Sequence, residues 1–455
     1  MIRRGVSLLA LCAALGCERG ESVRLAVIGD FGSDTASEAQ VAALVREFRP
    51  DLVATVGDND YPDGAADTID RNVGRHYHEW IAPYKGTYGP GAEVNRFFPA
   101  LGNHDWRTAG AKPYLDYFEL PGNERYYTVR RDPLELFVVD SDPHEPDGIT
   151  ADSAQARWLR ASLAASNAPH RIVIFHHPPF SSGPHGSTPE LQWPFREWGA
   201  TAVLSGHDHG YERFELGGMP YVVVGTGGAR LYKPRRTVPG SQVRIFGSHG
   251  ALRVQLERAG GRAEFASSSD GSRDAFALPV ASDLAPPRAL VASGDTWSLV
   301  DGKAVPPAWL EPGFDATAWA AVPTPFRLVD AGASGKPHTT YYRREFTLDA
   351  APGAFAQLLL GLPRDQPALA RLNGREVARV ERSKREGAWL VPRGPRADAP
   401  SPILCHFMLE PALLRTGANV LAIEVVRDPA EGGDPAFAAE LTAYPAPGAP
   451  PGAGP

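Results

Sequence analysis

The chain has 455 residues, of which 43% are hydrophobic and 22% charged, a composition typical of a soluble globular protein with two or three domains and not of a disordered one. The formal net charge of −7 comes without a basic block, so electrostatics give no footprint of a nucleic-acid partner. Of three cysteines, Cys12 and Cys17 lie near the N-terminus and leave Cys405 alone, which excludes an intrachain disulfide framework in the remaining chain.

The first 20 residues predict an export leader. Two arginines precede an apolar run, which ends shortly before Cys17 and is too short to span a bilayer stably. The string ALGC resembles a bacterial lipoprotein box, in which Cys17 would be acylated; ordinary signal cleavage is the alternative. We therefore expect an exported protein that is periplasmic, an outer-membrane lipoprotein or secreted, with membrane contact only through a lipid anchor at Cys17.

Residues 21–280 predict an α/β domain. Short apolar runs alternate with segments of helical spacing, and the runs are hydrophobic enough to be covered on both faces. The predicted strands are VRLAVIG, DLVATVG, LELFVVD, RIVIF, TAVLS and YVVVGT. The predicted helices span 37–48, 68–81, 152–165 and 190–198, with Asp152 or Ser153 as the cap of the third.

Residues 281–289 read as a linker and 290–446 as a second, all-β domain. YYRREFTL, FAQLLLGL, ALARLNGREVARV and NVLAIEVV predict strands, and Asn373-Gly374 between two of them is a type I′ hairpin signal. The pattern favours a β-sandwich. The tail 447–455 contains no large apolar side chain and is expected to be disordered.

Five loops of the first domain place metal-capable side chains directly after a predicted strand. Because the carboxyl ends of parallel strands converge on one crevice, these loops could meet in space. Carboxylate, phenolate, amide oxygen and imidazole suit iron, zinc or manganese, and a carboxylate such as Asp58 can bridge two cations. The residues are Asp30, Asp58, Tyr61, Asn103, His104, His176, His177, His207 and His209.

Glycine precedes the key residue in four of these loops, at Gly29, Gly57, Gly102 and Gly206. We expect these glycines to permit sharp turns that aim the next side chain into the crevice. His177 is expected to pack or cap, because adjacent side chains on an extended segment point to opposite sides.

The order GDFG, GDNDY, GNHD, a strand ending in histidine, and GHDH resembles the calcineurin-like metallophosphoesterases, and most closely the purple acid phosphatases of the tartrate-resistant type. The resemblance implies a four-layer α/β (α+β) domain with a central β-sandwich flanked by helices. Gly32 stands where other members carry a histidine, and Tyr61 follows Asp58 by three residues, as the tyrosinate of the purple enzymes does.

The resemblance also implies the metal ligands and the reaction. Fe(3+) would be held by Asp30, Tyr61 and His209, a divalent iron, zinc or manganese ion by Asn103, His176 and His207, and Asp58 would bridge them. Phosphate monoesters would be hydrolysed by attack of metal-bound hydroxide. His104 would protonate the leaving group, Asp105 would orient a neighbouring group, and His185 would bind the substrate phosphate.

Two other functions remain open at this stage. The same metal pair could serve a phosphodiesterase acting on cyclic nucleotides or phospholipid headgroups. In another class of protein, the chain could be a surface-binding lipoprotein whose phosphatase domain is inactive.

The second domain resembles the galactose-binding-like jelly rolls appended to many exported hydrolases. Its tryptophans, Trp297, Trp309 and Trp319, could present exposed faces to a carbohydrate or cell-surface ligand. The alternative is a β-sandwich whose tryptophans are core residues.

Overall fold

A computed structural model describes residues 22–327, 338–364, 366–381, 403–427 and 436–446. The predicted export leader with Cys17 and the predicted disordered tail 447–455 lie outside the described residues. Within these ranges, no helix is long and apolar enough to cross a membrane.

The first half of the chain contains five short helices and thirteen strands. The helices are α1 (Ala36–Phe48), α2 (Arg75–Tyr77), α3 (Lys112–Tyr117), α4 (Ala154–Ala165) and α5 (Phe195–Trp198). The strands are β1 (Val23–Ile28), β2 (Leu52–Thr55), β3 (Phe97–Pro99), β4 (Tyr127–Arg131), β5 (Leu134–Val138), β6 (His170–Ile174), β7 (Ala202–Ser205), β8 (Tyr211–Leu216), β9 (Met219–Val224), β10 (Ser241–Ile245), β11 (Gly250–Glu257), β12 (Gly260–Ser267) and β13 (Gly271–Leu278).

These strands form two sheets that pack face to face. The first has the order β13-β12-β11-β1-β2-β3, and the second β10-β8-β9-β7-β6-β5-β4. One apolar core joins the sheets and includes Val27 and Ile174, while a second lies between α1 and the first sheet and a third between α4 and the second sheet. The helix-sheet-sheet-helix arrangement confirms the predicted α/β fold class, and all six predicted strands are present.

Each predicted helix corresponds to helical structure at the same place in the chain, but two of the four are not continuous α-helices. Ser153 caps α4 by accepting a hydrogen bond from the backbone N–H of Ala156, which decides between the two predicted caps. Predicted helix 68–81 is a π-helical turn at Asp70–Gly74, then α2, then a 3-10 turn at His78–Trp80. Predicted helix 190–198 is wrong in extent: a 3-10 turn at Pro189–Leu191 is separated from α5 by Pro194, which cannot donate a helical hydrogen bond and restricts the preceding residue.

The second half is all β within the described residues, apart from 3-10 turns. Its strands are β14 (Arg288–Val291), β15 (Thr296–Asp301), β16 (Ala320–Pro323), β17 (Phe326–Arg327), β18 (His338–Leu348), β19 (Phe355–Pro363), β20 (Ala368–Leu372), β21 (Arg375–Val380), β22 (Leu404–Leu409), β23 (Gly417–Arg427), β24 (Ala436–Phe437) and β25 (Glu440–Pro445). They form sheets of order β14-β25-β19-β22 and β16-β15-β18-β23-β20-β21, and a β17-β24 pair.

The sequence signals of the second half are confirmed. Asn373 and Gly374 have φ of 52° and 81° between β20 and β21, as a type I′ hairpin requires. Trp297 is 0% and Trp309 is 3% exposed, so these two tryptophans are core residues and offer no binding face.

The two halves contact each other through β22 and β25. Tyr444 of β25 is buried in the apolar core around α4 and donates a hydrogen bond to Glu197 Oε1 at 2.8 Å. His406 of β22 donates its backbone N–H to Gln192 Oε1 at 2.8 Å, and Arg364 pairs with Glu190. A cavity of about 310 Å³ lies beside these contacts.

Candidate metal centre

The site lies where the carboxyl ends of the two sheets meet. Asp30, Asp58 and Asn103 belong to loops after β1, β2 and β3 of the first sheet, and His176 and His207 to loops after β6 and β7 of the second. The loop after β9 joins the two sets, because the N–H of Gly227 donates to the carbonyl of Gly29 at 2.8 Å. The topology therefore brings together segments that are far apart in sequence.

Three of the predicted ligands lie in left-handed backbone. The φ angles of Asp30, Asp58 and His207 are 55°, 52° and 70°. Such angles are uncommon for residues other than glycine and cluster at functional sites. Among the four glycines of the loops, only Gly57 has a positive φ, of 93°.

The expectation that all four glycines permit sharp turns is therefore wrong for Gly29, Gly102 and Gly206. These positions need glycine because an added Cβ would collide with neighbouring atoms. A Cβ on Gly102 would lie 2.3 Å from Asp58 Oδ1, and one on Gly206 would lie 2.5 Å from Asp30 Oδ2. Gly32 is equally constrained, because its Cβ would lie 1.7 Å from the carbonyl oxygen of Asn59. No larger residue fits at position 32 with the Tyr61 loop in this place.

A first group of donors surrounds the hydroxyl of Tyr61. This hydroxyl donates to Asp58 Oδ2 at 2.8 Å and lies 3.1 Å from His209 Nε2 and 3.3 Å from Asp30 Oδ1. Asp30, Asp58 and His209 each offer a donor atom within 4.8 Å of the others. Two carboxylates, a phenol and an imidazole thus converge on one point.

A second group of donors surrounds His176. Its Nε2 lies 3.0 Å from Asn103 Oδ1, 3.1 Å from His207 Nδ1 and 3.4 Å from Asp58 Oδ1. The two oxygens of Asp58 therefore face different groups, Oδ2 toward Tyr61 and Oδ1 toward His176. This is the placement that a bridging carboxylate needs.

His177 lies beside the second group. The donor atoms of His176, His177 and His207 lie within 4.8 Å of one another, and His177 Nδ1 is 2.9 Å from Ser141 Oγ. The strand β6 ends at Ile174, so the alternation of an extended segment does not apply to the residues that follow.

The donor set fits a pair of metal ions. His176 Nδ1 donates to the carbonyl of Val56 at 2.9 Å, and His209 Nδ1 donates to the carbonyl of Arg230 at 2.7 Å. Each of these bonds fixes the tautomer and turns the Nε2 lone pair toward the centre, as in histidines that bind metals. The chemistry of the whole set, with oxygen and imidazole donors, matches iron, zinc or manganese.

Protonation at the site reflects burial and close charges. Burial, reinforced by Asp58 and Asp30, raises the pKa of Tyr61 well above its usual value, so a phenolate there needs a cation. Burial also lowers the pKa values of His177 and His207 well below the usual value. For His176 the effect of burial is outweighed by Asp58, which raises its pKa to about 10.

His104 lies at the edge of the site. Its Nδ1 donates to the carbonyl of Pro62 at 2.5 Å, and its Nε2 lies 3.9 Å from Asp58 Oδ2. Asp105 is buried, and it accepts hydrogen bonds from the backbone N–H groups of Asn59 and Gly102. Asp105 thus holds the loops of Asp58 and Asn103 together.

His185 reaches the side of the site formed by His207. The two rings are 4.3 Å apart, and the backbone N–H of His185 donates to Asp208 Oδ1 at 3.0 Å. Sequence reasoning missed Tyr232, which stacks on His209 with ring centroids 4.0 Å apart. The available signal was its place after β9, a predicted strand whose carboxyl end points to the same crevice.

Comparisons with known proteins indicate a phosphoesterase family for this part of the chain. Residues 23–211 match the family model of the calcineurin-like phosphoesterases. The chain is 28% identical over 219 residues to purple acid phosphatase 17 of Arabidopsis thaliana, an alignment that covers 41% of this chain and 62% of that protein. It is 24% identical over 294 residues to tartrate-resistant acid phosphatase type 5 of Rattus norvegicus, covering 55% of this chain and 88% of that protein.

Among solved structures, the purple acid phosphatase PPD1 from yellow lupin seeds aligns with a TM-score of 0.47 and 19% identity, over 57% of this chain and 54% of that one. The family match covers β1 to β7, ends at the first residue of β8, and contains every residue of the two donor groups. Residues 23–211 therefore form a calcineurin-like phosphoesterase domain, and purple acid phosphatases are among the homologues of this part of the chain.

Proposed function

We propose that the protein is a dinuclear-metal phosphoesterase that hydrolyses phosphate monoesters, of the purple acid phosphatase type. One observation carries the proposal: two groups of donor atoms converge, and Asp58 faces both of them with different oxygens. The curated relatives support it at low identity, and the chain spans 62% of the length of the Arabidopsis protein.

Seven residues would hold the metals. Fe(3+) would be bound by Asp30, Tyr61 and His209; a divalent iron, zinc or manganese ion by Asn103, His176 and His207; and Asp58 would bridge the two. Such a pair supplies Lewis-acid activation of a phosphoryl oxygen and of the attacking water. His177, which lies beside His207, would support the second group through Ser141.

The remaining residues act on the substrate. In its imidazolium form, His104 would donate the proton on Nε2 to the departing oxygen, because its Nδ1–H is engaged by the carbonyl of Pro62 and Nε2 faces the site. His185 would donate a hydrogen bond to the substrate phosphate from the opposite side, beside His207. The oxygen of the attacking water forms the new bond to phosphorus as the bond between phosphorus and the leaving oxygen breaks.

We also propose that the protein is exported, through the leader in residues 1–20, with Cys17 as the site of a lipid anchor. This proposal rests on the sequence alone. Labelling with a fatty acid in cells would detect the anchor, and Cys17→Ser should abolish the label.

A metal analysis with a visible spectrum tests the centre. Iron-containing wild type should show the charge-transfer band of a tyrosinate bound to Fe(3+), and Tyr61→Phe should bind metal without that band. Tyr232→Phe is the matched control, since Tyr232 stacks on His209 but is not a proposed ligand. A colourless, oxidised, iron-loaded wild type would contradict the assignment of Tyr61.

Assays on paired substrates test the reaction. The metal-loaded protein should hydrolyse an aryl phosphate faster than the corresponding bis-aryl phosphate. The reverse preference would identify a phosphodiesterase. Absence of hydrolysis with every ester and each of the candidate metals would favour an inactive, surface-binding protein instead.

A further inference from the structure

A single loop of the first half contains three histidines of the site. Residues 175–188, which follow β6 and which we call the β6 loop, carry His176, His177 and His185. The end of this loop is held by the first half itself. The buried carboxylate of Asp208 accepts hydrogen bonds from Ser181 Oγ at 2.5 Å and from the His185 N–H at 3.0 Å. Asp208 thus fixes the part of the loop that presents His185.

The start of the β6 loop is held from the second half, through Gln192. The Nε2 of Gln192 donates to the carbonyl of Pro179 in the loop at 2.8 Å, and its Oε1 accepts from the backbone N–H of His406 in β22 at 2.8 Å. A backbone N–H only donates and a carbonyl only accepts, so these two partners fix the orientation of the amide. Gln192 therefore uses one end of its side chain for each half of the molecule.

Apolar packing joins the same part of the β6 loop to the second half. Phe180 is 4% exposed and lies in the core around α4, to which β22 and β25 contribute Met408 and Tyr444. The cavity of about 310 Å³ beside the contacts of the two halves is lined by both Phe180 and Gln192. A close-packed interior would hold the loop by contact alone, but this cavity leaves space next to it. The position of the loop therefore depends on the hydrogen bonds of Gln192.

We propose that the second half of the chain positions the β6 loop for catalysis, with Gln192 as the positioning residue between them. The inference rests on the proposed phosphoesterase function and gives the second half a part in it. Loss of the bond to Pro179 would let the loop shift toward the cavity, and a shift of about 1 Å in a positioned group can lower a rate about a hundredfold. His176 should stay in place, because its Nδ1 is held separately by the carbonyl of Val56. The effect should therefore fall on phosphate binding by His185 and not on metal content.

Two substitutions of Gln192 test the link. Gln192→Met removes both hydrogen bonds at nearly constant side-chain length, whereas Gln192→Glu keeps the acceptor for His406 and removes only the donor to Pro179. The second variant keeps the contact with β22, so it provides the test if the first fails to fold. Gln255→Met, at an exposed position of β11, is the matched control.

Both Gln192 variants should raise KM for 4-nitrophenyl phosphate and the inhibition constant of inorganic phosphate about fivefold or more, with kcat within about threefold. Metal content and the visible band should match the wild type, as should every value for the control. Met408→Ala, in the core shared by the two halves, should raise KM in the same direction, while Trp297→Phe, in the separate core of the second half, should not. Unchanged KM in the Gln192 variants and Met408→Ala would overturn the inference while the phosphoesterase function stands.

Hydrogen exchange of the intact protein tests the inference even if no ester is hydrolysed, an outcome that would count against the proposed function alone. The N–H of Thr188 donates to the carbonyl of Pro178 at 2.9 Å, so the exchange of peptides from the β6 loop reports its local opening. Exchange there should be faster in Gln192→Met and in Met408→Ala than in the wild type, with exchange in β1 and β2 unchanged. Equal exchange of the β6 loop in the wild type and both variants would refute the role of the second half.

Discussion

Asp30, Asp58 and His207 reach the centre from left-handed backbone, which costs a residue with a side chain about 1 kcal/mol or more. Hydrogen bonds hold these conformations in place. The Asp30 N–H donates to the carbonyl of Gly57, and the His207 N–H donates to the carboxylate of Asp30. The loops thus position the proposed metal ligands before any metal binds. A methyl group added to a glycine of these loops should displace the ligands.

Gly206→Ala tests this sensitivity. The added Cβ would lie 2.5 Å from Asp30 Oδ2, so Asp30 must move. We expect reduced metal content and a loss of activity of about a hundredfold, with secondary structure retained. Gly247→Ala is the control, because no atom lies within 4 Å of its added Cβ. Full metal content in Gly206→Ala would show that the site tolerates the displacement.

His104→Asn tests proton donation. Asparagine cannot transfer a proton to the leaving group, so hydrolysis of an alkyl phosphate should fall about a hundredfold or more. Hydrolysis of 4-nitrophenyl phosphate should fall only a few-fold, since nitrophenolate leaves readily without protonation. Steady-state kcat for the two esters gives the comparison. Equal losses would indicate that His104 positions the Asp58 loop through Pro62 instead.

At this scale the sequence predicted which residues meet but not how they are held. The order of the motifs was enough to bring Asp30, Asp58, Tyr61, Asn103, His176 and His207 to one crevice, although the strand before Asn103 was not itself predicted. Tyr232 and the support from Ser141 were not predictable, since no motif surrounds them and their contacts depend on the packing of loops from different strands.

Among the elements, helix α1 begins beside the metal centre. Glu38 in its first turn is fully buried, and its Oε2 accepts hydrogen bonds from the N–H groups of Ser33 and Asp34 in the loop after Asp30. Its other oxygen has no hydrogen-bond partner in the described structure. Glu38 therefore joins α1 to this loop at the cost of burying a carboxyl group.

Stability should depend on pH through Glu38. Burial raises its pKa from 4.5 to about 9 in the folded protein, so the folded state binds a proton that the unfolded state releases. Stability contributed by the neutral carboxyl is complete below pH 4.5 and is lost as the pH rises to about 9. The free energy of unfolding, measured by chemical denaturation across this pH range, should decline as the pH rises.

Glu38→Gln should flatten that decline, because the amide stays neutral. Glu47→Gln, which changes an exposed glutamate of the same helix, should leave the pH dependence as in the wild type. Identical pH profiles for the wild type and Glu38→Gln would show that Glu38 does not carry a raised pKa.

The elements differed in how far sequence could predict them. Buried parallel strands such as β2 and β7 are continuous runs of mostly apolar residues and were recognised. Strand β3 has only three residues, and β10 alternates between half-buried and exposed positions, so neither gave a signal. Pro194 broke a helix whose apolar spacing alone suggested continuity.

On the scale of the whole molecule, Tyr444 couples the two halves. Its side chain is 1% exposed, packs in the core with Tyr221, and donates to Glu197. Tyr444→Ala should reduce the free energy of unfolding by about 3 kcal/mol, and Tyr444→Phe by about 1 kcal/mol through the lost hydrogen bond alone. Urea unfolding followed by circular dichroism measures both; equal values for the two variants would show that packing at Tyr444 contributes little.

The position of β25 has a further consequence for biosynthesis. This strand, the last one described, lies between β14, the first strand of its sheet, and β19. While a nascent chain lacks β25, the edges of β14 and β19 have no partner, and open edges recruit strands of other molecules. The first half can complete its two sheets at β13, whereas within the described residues the second half closes only once β25 has been synthesised. Premature termination shortly before residue 440 should therefore yield aggregates rather than a shortened soluble protein.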